Sequence, residues 1–136
     1  MVESAIVLYK NEIIDASLGT PVNVEFNFEK IWAFKKTQNP FLIQELHFVH
    51  VHPKGFLNYS ATDLDCIQGF NLAFGNKVLF SIICFEDSNL NSQEHSMRTY
   101  FFDKEMVNVT DSHILKREHI LILKTLSYYG ASEWSL

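Results

Sequence analysis

Residues 50–63, HVHPKGFLNYSATD, contain the side chains of this chain best suited to metal chemistry. His50 and His52 are separated by one residue, and imidazole nitrogens are common ligands of zinc. Because a strand alternates its side chains between two faces, a strand here places both histidines on the same face. Asp63 adds a carboxylate, which zinc also accepts as a ligand. Three such ligands leave a fourth position open, and open zinc sites are typically catalytic.

The same residues also have purely structural explanations. Histidines in strands often form only hydrogen bonds, so the H-x-H pair by itself is weak evidence for a metal. Ser60 and Asp63 have the S-x-x-D spacing of a capping box, which satisfies free backbone N–H groups where a helix begins. The combination favours a metal site, because a strand end followed by a helix start can bring His50, His52 and Asp63 together.

The sequence around this segment predicts the elements that position it. FLIQELHFVHVHP reads as a strand that carries His50 and His52 on one face. Ser60 is the expected N-cap of a helix with apolar residues at helical spacing. This helix is expected to stop at Gly75.

Four further stretches predict strands. AIVLYKNEIID reads as one long strand or a strand pair around a polar turn, and VNVEFNFEKIWAF alternates like a half-buried strand. KVLFSIICFED is a continuous apolar run, which is typical of a central buried strand. MRTYFFD is expected to pair beside it.

The C-terminal part of the chain predicts a helix. Thr110 or Asp111 is its expected cap, apolar residues follow near one stripe, and Gly130 is its expected end. His113 and His119 are six residues apart, a spacing that does not bring two side chains together on a helix. We expect both of these histidines on the surface.

Composition excludes several classes of function. The chain has 136 residues, a length that predicts one domain over residues 1–136. Eleven basic residues against sixteen acidic ones give a net charge of -5, and the absence of a basic stripe argues against nucleic acid as a partner. The longest apolar runs are much shorter than the roughly 20 residues of a membrane helix, so no membrane partner is expected.

The cysteines and the first residues suggest a cellular compartment. Cys66 and Cys84 form no C-x-x-C pair and lie in apolar contexts, which predicts two buried, reduced thiols. The opening stretch MVESAIVLYK lacks the features of a secretory signal. We therefore expect a cytoplasmic protein.

H-V-H-P, six residues and S-A-T-D together resemble the H-x-H-P-x(6)-S-x-x-D signature of the JAMM (MPN+) zinc metalloproteases. The resemblance implies that His50, His52 and Asp63 bind Zn²⁺ and that Ser60 helps to hold the developing oxyanion. It further implies that an upstream glutamate takes the proton of the attacking water. The implied fold is a JAMM/MPN-like α/β domain of the α+β type, with a mixed, curved sheet packed by a central helix and a C-terminal helix.

Glu3 is the best candidate for that upstream glutamate. In the family this residue stands in a stretch resembling E-x-x-G-x-L, and Glu3 precedes a comparable apolar strand, although the glycine and a preceding helix are absent. Glu25 is the alternative, but its neighbours indicate a solvated strand face. Glu12 lies by a predicted turn, and Glu45 has the opposite strand parity from His50.

The resemblance implies a zinc-dependent peptidase or isopeptidase. Its partner would be a protein or peptide substrate, and family substrates include the C-terminal tails of ubiquitin-like proteins. One alternative is a non-catalytic MPN-like interaction or scaffold module, which the departure from E-x-x-G-x-L keeps open. Another is a cupin-like barrel that also uses H-x-H, although the two predicted helices argue against an all-β fold.

Overall fold

A computed structural model of the chain describes residues 1–53, 55–75, 78–109 and 115–131. Six strands and three α-helices make a mixed α/β architecture, which fits the expected α+β class in general terms. A short 3-10 turn lies at Ile43–Glu45. The other elements, in chain order, are β1 (Ser4–Tyr9), β2 (Glu12–Leu18), α1 (Phe28–Thr37), β3 (Leu46–Val51), α2 (Ala61–Phe74), β4 (Leu79–Phe85), β5 (His95–Asp103), β6 (Glu105–Val109) and α3 (Arg117–Tyr129).

The strands form one mixed sheet in the order β2-β1-β3-β4-β5-β6. β3 and β4 are parallel, whereas the other neighbouring strands are antiparallel. A parallel pair needs a crossover connection, and α2 provides it. Because of this crossover, the end of β3 leads through a short loop into the start of α2.

The first strand prediction is confirmed as a hairpin. β1 and β2 are antiparallel, and the turn between them uses Lys10 (φ 50°) and Asn11 (φ 64°). Two successive residues with positive φ match the right-handed twist of a tight hairpin, and asparagine tolerates this conformation well.

The prediction of a strand over VNVEFNFEKIWAF is wrong, because its second half forms α1. Asn27 caps this helix by accepting a hydrogen bond from the backbone N–H of Lys30 at 3.0 Å. Glu29 in the first turn and two lysines in the last turn interact favourably with the helix dipole and so stabilise the helix. The first half of the stretch is an irregular segment, so its alternation does not reflect pairing with another strand.

The central strand predictions are confirmed. β4 is buried along nearly its whole length and lies between β3 and β5, which contains MRTYFFD. The edge strand β6 was not predicted. It follows β5 through a tight turn at Lys104 (φ 66°) and pairs with β5 in antiparallel register.

The sheet has a hydrophobic core on each face. One core includes side chains of α1 and α2 together with Phe48 of β3, and the other includes side chains of α3 together with Val49 and Val51. Because these neighbours belong to opposite cores, the predicted alternation along β3 is confirmed.

The C-terminal helix is confirmed, and Gly130 follows its last residue as predicted. It begins at Arg117, whereas Thr110, Asp111 and His113 lie outside the described residues. In the described part of the chain no helix has both the length and the apolar character of a membrane span.

The surface prediction for His119 is wrong. This residue is 1% exposed and occupies the first turn of α3, where its Nδ1 accepts a hydrogen bond from the backbone N–H of Lys116 at 3.2 Å. Its ring therefore contributes to the start of the helix, which the histidine spacing alone did not indicate.

Candidate metal centre

Four of the residues singled out in the sequence meet at one end of the sheet. His50 lies near the end of β3, His52 directly follows that strand, and Asp63 lies in the first turn of α2. Glu3 immediately precedes β1, and the antiparallel pairing of Ala5 with His50 brings it opposite His52. Each of these four residues is buried, with an exposed fraction of 7% or less.

Asp63 contacts both histidine rings. Its Oδ2 lies 3.2 Å from His52 Nε2, and its Oδ1 lies 3.4 Å from His50 Nε2. Oδ2 also accepts a hydrogen bond from the backbone N–H of Ser60 at 2.8 Å. The start of α2 therefore holds this carboxylate against the end of β3.

Glu3 belongs to a buried group that can hold a metal ion. Its Oε1 lies 3.6 Å from His50 Nδ1, and the ligand atoms of Glu3, His50 and His52 all lie within 4.8 Å of one another. The ligand set implied by the family resemblance has Asp63 in place of Glu3. Both carboxylates face the histidines, so each of them is a candidate for the third ligand.

The environment of His50 suits a metal ligand. Among the described residues, its buried Nε2 has no hydrogen-bond partner, because Asp63 Oδ1 at 3.4 Å does not have hydrogen-bond geometry. A buried polar atom without a partner is costly, and a metal ion would supply one. Imidazole nitrogens and carboxylate oxygens are a donor set that fits zinc.

Burial dominates the protonation of His50 and Glu3. It lowers the pKa of His50 to about 4, with Asp63 opposing and His52 adding to the shift, so the ring is neutral near neutral pH. Neutral imidazole is the form that binds metals. Burial also raises the pKa of Glu3. The charge of His52 opposes this rise, and the charge of Asp63 adds to it.

His52 and Asp63 support each other's charged forms. Burial acts to lower the pKa of His52, but the hydrogen bond and charge of Asp63 outweigh it and raise this pKa. Burial acts to raise the pKa of Asp63, but the hydrogen bond from His52 and the charge of His50 lower it overall. Metal binding at His52 Nε2 would therefore compete with the proton that Asp63 stabilises there.

The orientation of the His52 ring is fixed from its other side. Its Nδ1 lies 3.2 Å from the backbone oxygen of Phe56, and the Phe56 ring packs on the imidazole with a centroid distance of 4.8 Å. A carbonyl oxygen only accepts hydrogen bonds, so Nδ1 carries the proton. Nε2 then faces Asp63, and this nitrogen is the one available to a metal.

Ser60 is the N-cap of α2, as predicted. Its Oγ accepts a hydrogen bond from the backbone N–H of Asp63 at 3.1 Å, and the Asp63 carboxylate accepts one from the backbone N–H of Ser60. The capping box is therefore complete. Ser60 also lines the same cavity as the histidines, so its structural role does not remove it from the site.

The four side chains face a cavity of about 320 Å³. A larger and more open depression of about 730 Å³ lies along residues 17–29 and contains none of them. Apart from Ser60, the remaining lining of the smaller cavity comes from two segments that flank it and from the start of α2: Pro21, Val22, Asn23, Val24, Pro53, Phe56 and Thr62.

Of the glutamates weighed from the sequence, Glu3 lies at the histidines. Glu25 is exposed on the irregular segment and does not line the cavity that contains them. Glu12 and Glu45 each form an ion pair with a lysine on the surface. Glu3 is therefore the one of these four glutamates that faces the histidines.

Glu3 is held in place although it lies close to the N-terminus. Its backbone N–H donates to the carbonyl of Thr20 at 2.8 Å, and its own carbonyl accepts from Gly19 N–H at 2.9 Å. Val2 N–H donates to the carbonyl of Ser127 in α3 at 2.9 Å. These contacts join distant parts of the chain, so local sequence patterns gave no signal of them.

The site is thus a buried set of two imidazoles and two carboxylates that opens to one cavity. Comparison of the chain with protein-family models and with curated proteins finds no match in either.

Proposed function

We propose that the protein is a zinc-dependent peptidase or isopeptidase that resembles the JAMM proteases. The observation that carries the proposal is the convergence of Glu3, His50, His52 and Asp63 on one cavity, with Ser60 in its lining. The H-x-H-P-x(6)-S-x-x-D resemblance assigns His50, His52, Ser60 and Asp63 to chemistry, and Glu3 is the candidate for the upstream glutamate that it also implies. The substrate class is a protein or peptide, and the tail of a ubiquitin-like protein is the family substrate to test first.

His50, His52 and Asp63 would hold the zinc ion. Both Nε2 atoms are directed toward Asp63, and the Nδ1–H of His52 is engaged by the Phe56 carbonyl. Bound there, zinc supplies Lewis acidity that lowers the pKa of water toward neutrality and polarises a carbonyl.

Glu3 takes the proton of the attacking water and passes it to the leaving amine. Its carboxylate is buried against His50, and its backbone is fixed by Thr20 and Gly19. A fixed carboxylate within hydrogen-bond reach of water is a suitable general base, and such proton transfer typically contributes 10²- to 10⁴-fold in rate.

Ser60 stabilises the oxyanion that forms on the scissile carbonyl. In the helix cap its Oγ acts only as an acceptor, so the hydroxyl hydrogen is a separate donor. The cap fixes Oγ in the wall of the cavity, and a donor positioned in advance is typically worth a few kcal/mol in the transition state.

The test is hydrolysis by the zinc-loaded full chain. The probes are a fluorogenic amide of a ubiquitin-like C-terminal tail, an isopeptide-linked version of it, and a mixed peptide library read by mass spectrometry. We expect cleavage of at least one probe, and Glu3→Gln should reduce turnover by roughly 10²-fold or more while the fold is retained.

Glu25→Gln is the matched control, because Glu25 is an exposed glutamate away from the histidines. It should leave turnover unchanged. Equal losses in both glutamate variants would argue against Glu3 as the base. Zinc binding without cleavage of any probe would favour the non-catalytic interaction module.

A further inference from the structure

The loop that joins the two halves of the metal site is held by side chains of β4 and β5. This loop, residues 55–59, connects the histidine strand to the Ser60 cap. Three of its consecutive residues each receive a hydrogen bond from these strands: Cys84 Sγ to the Phe56 carbonyl at 3.3 Å, Tyr100 Oη to the Leu57 carbonyl at 2.8 Å, and Arg98 Nη1 to Asn58 Oδ1 at 3.0 Å.

The Phe56 carbonyl is shared between Cys84 and His52. It accepts the Cys84 thiol hydrogen and also the Nδ1–H of His52, at 3.3 Å and 3.2 Å. A carbonyl oxygen has two lone pairs and can accept both bonds. Cys84 is 4% exposed on the central strand β4, so the thiol connects this oxygen to the middle of the sheet.

The position of this carbonyl decides how His52 faces the site. The hydrogen bond at one ring nitrogen sets the tautomer and the direction of the other nitrogen. With Nδ1–H bonded to Phe56, Nε2 lies 3.2 Å from Asp63 Oδ2. If the Phe56 carbonyl turned away, the ring would lose the contact that holds it in this orientation.

We propose that Cys84 is a positioning residue for the metal centre, because its thiol fixes the Phe56 carbonyl that orients His52. This inference rests on the proposed metal site and assigns to it a residue outside the family signature. Cys84 acts here as a hydrogen-bond donor and not as a ligand or a nucleophile.

The protonation of Cys84 agrees with that role. Burial raises the pKa of the thiol, while a hydrogen bond from the Gly55 backbone acts in the opposite direction and the charge of Glu86 adds to the rise. The residue therefore remains a thiol near neutral pH, and a thiol has the hydrogen that this contact requires.

The test is the zinc affinity of the full chain, measured by competition with a chelating dye. Cys84→Ala removes the donor, whereas Cys84→Ser keeps a donor in a side chain of similar size. We expect Cys84→Ala to weaken zinc binding by roughly 10-fold, the lower end of the effect of outer-shell partners. Cys84→Ser should recover most of this loss.

Cys66→Ala is the control, because Cys66 is the other free cysteine and lies half-buried on α2. It should bind zinc like the wild type. Thermal unfolding of the metal-free variants is followed in parallel, and Cys84→Val, which fills the space without a donor, replaces the alanine variant if that variant does not fold.

The outcomes separate this inference from the proposed function. A wild-type chain with no zinc affinity would overturn both. A wild type that binds zinc, together with a Cys84→Ala or Cys84→Val variant that binds it equally well, would overturn only the role of Cys84. Serine and alanine variants that lose affinity equally would also contradict it, since the loss would then not depend on the donor.

Discussion

His50 is a buried histidine within the group of side chains that can hold a metal ion. The residue is 2% exposed, and burial keeps its ring neutral near neutral pH by lowering its pKa to about 4. Neutrality is what a metal requires of an imidazole, but it makes the metal-free protein sensitive to acid.

We predict that His50 makes the metal-free protein lose stability as the pH falls from about 6.5 to about 4, while the raised pKa values of His52 and Glu3 act in the opposite direction. Below the ordinary pKa of 6.5 the unfolded chain binds a proton at His50, whereas the folded chain does not bind it until the pH approaches about 4. The unfolded state therefore gains up to one more proton, with a slope of at most about 1.4 kcal/mol per pH unit.

Urea unfolding at several pH values checks this prediction. His50→Gln should flatten the slope in that window. His52 has a raised pKa and contributes with the opposite sign, since the stability it provides is lost as the pH rises through its folded pKa. An unchanged slope in His50→Gln would show that His50 does not cause the acid sensitivity.

At the scale of elements, the site forms where β1, β3 and α2 meet. The part within residues 50–63 could be predicted, because strand alternation and a capping box are local patterns. Residues 22–27 alternate but pair with no strand, and α1 begins directly after its cap Asn27, so alternation alone was misleading there. The contacts that fix residues 2 and 3 could not be predicted from local patterns, because Val2 bonds to Ser127 in α3 and Glu3 bonds to Thr20 beyond the β1–β2 hairpin.

Ser60 serves an element and the proposed chemistry at once, and substitution can separate the two. Asparagine is as good an N-cap as serine, so Ser60→Asn should keep the stability of α2. It lacks the hydroxyl, and we expect a loss of turnover of roughly 10²-fold. Ser60→Ala should lose about 1 kcal/mol of stability in addition.

Thermal unfolding and turnover of the two zinc-loaded variants make this comparison. If Ser60→Asn retained full turnover, the hydroxyl would have no part in stabilising the oxyanion. If its stability fell together with its turnover, the residue would be important only as a cap.

In the whole molecule, a metal ion bound at this site would link the end of β3 to the start of α2, the helix of the crossover to β4, next to the start of β1. We predict that zinc raises thermal stability, by about 2.7 kcal/mol when free zinc is 100 times its dissociation constant. Thermal unfolding with zinc and with a chelator measures this difference. Asp63→Ala should abolish it, and an equal gain in that variant would indicate zinc binding elsewhere.

Metal analysis of three purified proteins shows whether the buried histidines and carboxylates form the proposed zinc site: wild type, Asp63→Ala and Glu3→Gln. We expect about one zinc per chain in the wild type and in Glu3→Gln, and almost none in Asp63→Ala, because the proposed site uses Asp63 as a ligand and Glu3 as the base. A wild type without zinc would contradict the claim, and so would zinc that survives in Asp63→Ala but is lost in Glu3→Gln.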